Sequence, residues 1–464
     1  MNPSRFGPSG VPLVVPSGAV RWLTASVLAL GVLSCGNQET TAPNLARAGG
    51  SPGTKGPTVS ATNPRFAARG VTLDVQVTGS GFSPGDAVVW ALNQDTTFAV
   101  TRVKVNSTTY VSATQLTANV TLGTDAQLDL YDVVVVTLQG KKGIGIELFE
   151  VTLEIIDLGL GDFSVATGIN SSGRIVGRSQ GGAFVWDAGV LTYLLPLPGA
   201  AGAQAEDINT GGVIVGTSGS RAVVWRPRSG GGYDPPLDLG TLGGCCSEAT
   251  AINDDGTVAG DSKIPGDASS HAVYWDSNGQ IHDIQTVSGG ESFTWGINSV
   301  GQVVGQWSVS GSQAFRYTPG VGMELLPAIG GVHGVALDIN TLGQVVGWSE
   351  PSPGAPLHAT LWDGNAVVDL GTLGGSSSVG IAVTDDGRVV GRSETGARRG
   401  GTPQYVAFLW TASGGMRALA SASLKDYTFA QAWDINANGW IVGENGPKGG
   451  SGAGRATLWK PQGF

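Results

Sequence analysis

Two patterns of alternation divide the chain. From Thr58 to about residue 150, apolar and polar residues alternate in short runs, as in Val71, Leu73, Val75 and Val77 with polar residues between them. That period of two predicts a half-buried strand. The turn-rich cluster Gly79-Ser80-Gly81-Phe82-Ser83-Pro84-Gly85-Asp86 follows. Further strands are predicted at 87–92, 98–105, 109–111, 115–122 and 131–138. Short alternating strands over some ninety residues predict an antiparallel β-sandwich.

Beyond residue 154 the alternation becomes a repeat. The motif I-N-x-x-G-x-[VI]-V-G begins at Ile169, Ile208, Ile252, Ile297, Ile339 and Ile435, with two variant copies among them (Gly211-Gly212; Ala259 before Gly260). A degenerate copy, V-T-D-D-G-R-V-V-G, begins at Val383. The closing glycines are Gly177, Gly216, Gly260, Gly305, Gly347, Gly391 and Gly443. Each copy is followed by an apolar strand ending in an aromatic: Trp186, Trp225, Trp275, Tyr317, Trp362, Trp410 and Trp459. A D-L-G segment stands between copies, clearest at Asp238-Leu239-Gly240 and Asp369-Leu370-Gly371.

Each motif has a mechanical reading. Asn-x-x-Gly between apolar runs predicts a tight hairpin turn, with Asn tolerating αL and Gly supplying positive φ. Val-Val-Gly predicts a buried strand whose glycine lets another backbone approach. The aromatic packs between neighbouring sheets, and the D-L-G segment is a fourth strand. One repeat is thus four short strands, at the ~40–50 residue period of a propeller blade. A lone fourth-strand segment, Leu153–Gly159, precedes the first copy, and the last copy stops after its third strand. The first segment is therefore expected to complete the last blade. The prediction is an all-β chain: a seven-bladed β-propeller over 151–464 behind an N-terminal Ig-like β-sandwich over 58–150. An open solenoid would need capping repeats, which the sequence lacks.

Composition agrees. Glycine accounts for 75 of 464 residues, and charged residues are 13%, about half the usual ~25%. The net charge is −10, becoming −12 without Arg5 and Arg21. That charge disfavours nucleic acid, which needs a basic stripe.

Residues 22–33 (WLTASVLALGVL) form an apolar run after Arg21, too short to span a bilayer and suited to a leader's apolar core. Val32-Leu33-Ser34-Cys35 follows and resembles the bacterial lipobox. The resemblance implies removal of 1–34 and lipidation of Cys35. Residues 35–57 read as a flexible tether. The expected location is the cell envelope after export across the inner membrane, at the outer membrane or cell surface, with the lipid at Cys35 as the sole membrane attachment.

The segment G-S-G-F-S-P-G-D, preceded by Asn63-Pro64, resembles the IPT/TIG family of immunoglobulin-like domains, which implies a spacer. The DLGTLGG, IN-x-x-G-x-VVG and AFLW segments together resemble the extracellular HAF-repeat family of bacteria. That resemblance implies secretion and a repeat fold. It supplies no substrate, cofactor or catalytic set.

Candidate chemistry is sparse. His271, His282, His333 and His358 stand in no metal-ligand spacing, so no metal or cofactor is expected. Asp254-Asp255 and Asp385-Asp386 look like calcium ligands but occupy the hairpin turns. Adjacent Cys245 and Cys246 are read as free thiols or as a strained vicinal disulfide. In a propeller, function sits in loops leading into the innermost strands. Here these carry Asp162 and Phe163, Gln204 and Glu206, Cys245, Cys246 and Glu248, Glu291 and Phe293, His333, Ser377, and Asp426 with Tyr427 and Phe429. Such acids and aromatics suit a glycan or a cationic peptide. Trp295, Trp307, Trp348, Trp433 and Trp440 are read as core, or as sugar platforms if exposed. The reading is a monomeric, non-catalytic binding or scaffolding protein for a glycan or an envelope protein. The alternative is a polysaccharide lyase or glycosidase, which needs two carboxyls ~5–9.5 Å apart among Glu206, Glu248, Glu291 and Asp426.

Overall fold

The computed structural model describes residues 56–92, 102–124, 126–127, 130–285, 289–399, 402–419, 427–447 and 454–460. The expected leader over 1–34, Cys35 and Asp426 lie outside the described residues. Secondary structure within them is all strand, arranged in nine four-stranded sheets.

Two sheets form the N-terminal unit. One orders the strands Thr58–Asn63, Thr72–Ser80, Gln115–Leu122 and Val103–Ser112, and the other Phe66–Ala68, Lys142–Thr152, Leu130–Val136 and Ala87–Leu92. Alternation decides which faces meet: Val75, Val77, Leu116, Ala118 and Val120 of the first sheet share a core with Trp90, Val133, Val135 and Phe149 of the second. Trp90 and Phe149 pack edge to face, with centroids 5.7 Å apart. The separate strands expected at 98–105 and 109–111 are one strand, Val103–Ser112. Its two register shifts break the alternation that suggested a gap.

The other seven sheets follow in sequence order. The first contains Val165–Ile169, Ile175–Ser179, Gly182–Asp187 and Val190–Tyr193. Sheets two to seven begin with the innermost strands Ala203–Ile208, Ser247–Ile252, Glu291–Ile297, Gly334–Ile339, Gly374–Val383 and Tyr427–Ile435. The seventh is completed by Glu154–Asp157, antiparallel to Arg455–Lys460. Each sheet lies against the next, and the first strand of sheet one lies against sheet seven, so the sheets close into a ring.

Within each sheet the repeated residues hold the strands together in the same way, seven times over. A Cβ built on Gly177 would stand 2.0 Å from the Val165 oxygen, and one on Gly443 would stand 2.0 Å from the Gln431 oxygen. Only glycine lets the second strand lie this close to the first. The alanine of the A-x-x-W strand accepts a backbone bond from the residue after the fourth strand, as in Leu158 N to Ala456 O (2.9 Å) and Leu239 N to Ala222 O (2.9 Å). Fourth strands end at the aspartate of D-L-G rather than running through it. That aspartate turns the chain by accepting the N–H two residues on, as Asp238 does from Gly240 (2.8 Å).

The turn asparagine works differently from the αL role expected of it. Gly173 supplies the positive φ (84°), while the asparagines are not among the positive-φ residues. Asn170 Oδ1 accepts from Arg174 N (3.0 Å), and its Nδ2 crosses to the Asn209 oxygen of the next sheet (3.2 Å). The same crossing joins Asn209 to Asn253, Asn253 to Asn298, Asn298 to Asn340, Asn340 to Thr384, and Asn436 to Asn170. Thr384, in the degenerate copy, cannot make the crossing to sheet seven. There Arg388 Nη2 donates to the Ala437 oxygen instead (3.0 Å).

Candidate functional site

The ring has a turn end, built from the I-N-x-x-G hairpins, and a loop end, where the chain enters each innermost strand. Every innermost strand carries a register shift just before Ile-Asn, at Thr167, Glu206, Thr250, Trp295, Leu337, Ile381 and Trp433. Such a bulge re-aims the side chains on either side of it.

At the turn end, Asp207, Asp338 and Asp434 follow these bulges. Each carboxyl accepts two backbone N–H groups, one from its own sheet and one from the next: Asp434 from Ile435 (2.7 Å) and Ile169 (2.8 Å), Asp207 from Ile208 (2.7 Å) and Ile252 (2.8 Å), Asp338 from Ile339 (2.8 Å) and Val383 (2.8 Å). Burial among the sheets is the largest influence on all three carboxyls. It raises Asp207 above its ordinary range, Asp338 to about 6, and Asp434 to about 8, where repulsion from Asp207 and Asp338 adds to it. A cavity of about 490 Å³ opens beside Asp338, lined also by Asp254, Asp385, Asp386, Arg388 and Ala437. Its lining comes from sheets three to seven, which places it at the centre of the ring. Asp254 and Asp385 accept Thr210 N (2.9 Å) and Thr341 N (2.9 Å) of the preceding turns, and so serve the backbone. Among the described residues, no three His, Cys, Asp or Glu side chains are grouped to hold a metal.

At the loop end a serine joins neighbouring sheets. Ser164, Ser247, Ser292 and Ser378 accept the backbone N–H of Ala456 (2.9 Å), Ala222 (3.1 Å), Ala272 (2.8 Å) and Ala359 (2.8 Å). The residues just before these serines are Phe163, Cys246, Glu291 and Ser377; His333 stands likewise before Gly334 at the start of sheet five. These five expected residues thus occupy equivalent places around one end, whereas Glu206 lies on the bulge beside Asp207, toward the turn end. Phe163 is 61% exposed, while Cys246, Glu291, His333 and Ser377 are half-buried.

Their partners differ. Asp162 accepts from Arg455 Nε (2.7 Å), Glu291 pairs with Lys263 (3.2 Å), and Glu206, on a bulge, pairs with Arg178 (3.4 Å). Cys245 and Cys246 are disulfide-bonded, the second of the two readings. Exposed Cys245 donates its N–H to Asp267 (2.7 Å). Glu248 stands directly across the ladder from buried Asp261. Phe293 and Phe429 are half-buried, and of Tyr427 only the backbone is described. Three histidines pair with acids: His271 with Asp283 (2.8 Å), His282 with Asp276 (3.3 Å) and His358 with Asp369 (2.8 Å). Trp348, with Trp295 and Trp433, packs among Val335, Leu337, Val379 and Ile381. Trp307 and Trp440 pack against the cores of sheets three to four and seven to one, respectively.

Two sets of residues escaped sequence reasoning. One is the aspartate trio, whose signal is Asp immediately before Ile-Asn where other copies have Gly or Ala. The other follows Val-Val-Gly: Arg178, Arg392 and Glu444. Arg392 is 5% exposed and lies 5.0 Å from the Tyr405 ring centroid. Burial lowers its pKa to about 10, against the pull of Tyr405 and Glu444. Burial raises Glu444, while Arg178, Trp433 and Arg392 oppose the rise. The charges of sheets six, seven, one and two therefore alternate in sign around this side of the ring.

No family model matches the chain, and no curated protein does. Solved structures match at low identity. The extracellular domain of a one-component system from B. thetaiotaomicron has 12% identity and a TM-score of 0.43, over 66% of this chain and 39% of that one. This chain thus spans well under half the length of that protein. The β-propeller domain of the Trilobed protease from Pyrococcus furiosus has 11% identity and a TM-score of 0.36, over 79% of this chain and 98% of that domain. An auxiliary nutrient binding protein from Bacteroides ovatus has 9% identity and a TM-score of 0.28, over 88% of this chain and 99% of that one.

Proposed function

We propose that this chain is a lipid-anchored cell-envelope protein in which an Ig-like, IPT/TIG-type spacer carries a seven-bladed HAF-repeat propeller. The propeller serves non-catalytic binding or scaffolding of a glycan or an envelope protein, and it acts as a monomer. The observation that carries the reading is the loop end. Asp162 and Glu291 are each held there by a cation, which suits fixed recognition groups better than a general acid and base. The leader and Cys35 supply the address.

The test has two parts. Cys35→Ala is expected to release the protein from membranes into the soluble fraction; unchanged membrane association overturns the anchor. The full-length protein is expected to show a rise in melting temperature with one ligand class in a panel of glycans and peptidoglycan fragments.

The enzyme reading keeps one observation in its favour, the cross-strand Glu248 and Asp261. Product analysis after incubation with polysaccharide decides it, with Glu248→Gln as the control.

A further inference from the structure

We propose that Phe163 is a preorganised aromatic anchor that stacks on the apolar face of a neutral sugar ring, flanked by the Asp162–Arg455 pair, which bonds the sugar's hydroxyls. This rests on the binding function above and names its site and ligand.

The loop from Asp157 to Ser164 is fastened at almost every residue. Leu158 is buried and Leu160 packs against the same core. Gly159 N donates to Asp157 Oδ1 (2.9 Å), and Ser164 Oγ donates to the Gly161 oxygen (2.6 Å). Ser164 N donates to the Gly454 oxygen (3.1 Å), and Arg455 holds both Asp162 (2.7 Å) and Asp157 (3.6 Å). The side chain left over is Phe163, 61% in solvent.

Its backbone is also unusual. Gly159 and Gly161 have φ of 77° and 73°, which glycine adopts freely. Phe163 has φ of 63°, a region that bulky residues avoid. Both its backbone and its exposed ring run against folding stability, and strain of this kind concentrates where a site has a task. The equivalent positions in other sheets carry half-buried Cys246, Glu291 and Ser377, so the ring position does not require an exposed aromatic.

The surroundings choose the ligand. A pyranose has an apolar C–H face edged by hydroxyls. Phe163 offers the face, and Asp162 and Arg455, with side chains 28% and 37% exposed, offer an acceptor and donors beside it. An apolar protein pocket closing over Phe163 would instead desolvate that ion pair, at a cost.

The decisive variant is Phe163→Gly in the full-length protein, with retardation in gels containing dextran, laminarin, galactomannan or xylan as the readout. Wild type is expected to be retarded by at least one of these. Phe163→Gly is expected to bind about tenfold or more weakly, with a melting temperature equal to or above wild type, because glycine relieves the φ. Phe163→Trp is expected to retain binding. Equal retardation of Phe163→Gly and wild type overturns the anchor while leaving glycan binding in place. A lowered melting temperature in Phe163→Gly makes Phe163 structural and overturns the proposal. A wild type retarded by none of the four overturns the sugar assignment, and envelope-protein binding is then tested separately.

Discussion

The side-chain amide of Asn436 donates to the backbone oxygen of Asn170 at 3.0 Å, across 266 residues of chain. This bond fastens the last hairpin to the first, and it is the same bond that five other turns make to their neighbours. Both ends of the amide are in use, since Asn436 Oδ1 accepts from Trp440 N (3.0 Å). Asn436→Ala is therefore expected to cost about 1–3 kcal/mol, because it strands buried backbone groups. Denaturant unfolding measures it. A loss below about 0.5 kcal/mol would mean that the crossing bonds are incidental.

The missing crossing can be restored. Thr384→Asn in sheet six supplies the amide that the degenerate copy lacks. An expected gain of about 0.5–1.5 kcal/mol follows if the new side chain reaches the Asn436 oxygen. If the two links compete, the gain should be larger in Arg388→Ala, where the existing bridge is already lost. Additive effects would show that they act independently.

Stability should fall as pH rises. Asp434 titrates near 8 and Asp338 near 6 in the fold, against 3.8 for an ordinary aspartate. The folded state thus holds protons that the unfolded chain gives up. The contribution of these groups is full below pH ~4 and is lost progressively up to pH ~8. A melting temperature declining from pH 4.5 to 8, and a flatter profile in Asp434→Asn, are the expected results. A wild-type curve that rises over this window would contradict the assignment.

Gly443→Ala tests the close approach of the first two strands. Its Cβ would lie 2.0 Å from the Gln431 oxygen, so the ladder must open. A loss of about 3 kcal/mol or failure to fold is expected, at the upper end for overpacking. Circular dichroism and expression yield read it.

Much of the ring could be read from the repeat. Asn-x-x-Gly, Val-Val-Gly and the alanine before each aromatic each make one physical joint, so their spacing carries the sheet order and the completion of sheet seven by Glu154–Asp157. The asparagine's crossing bond could not be read, because its partner is a backbone oxygen some forty residues away. The aspartates stayed hidden for another reason. A bulge precedes each of them, at Glu206, Leu337 and Trp433, and the alternation that assigns faces fails there. The loop-end residues were legible as differences between copies. Their ion partners, Lys263 and Arg455, come from other strands and were not.

Sheet seven has a mechanical consequence. Any tension that reaches the ring from the N-terminal side arrives through Lys142–Thr152 and Leu153 and enters at Glu154, the start of that sheet's outermost strand. The strand resists through its ladder with Arg455–Lys460 and through the grip of Arg455 on Asp157 and Asp162. A pull from the N-terminal side would therefore load the seam that holds the circle shut, and the loop presenting Phe163 would be the next segment to feel it.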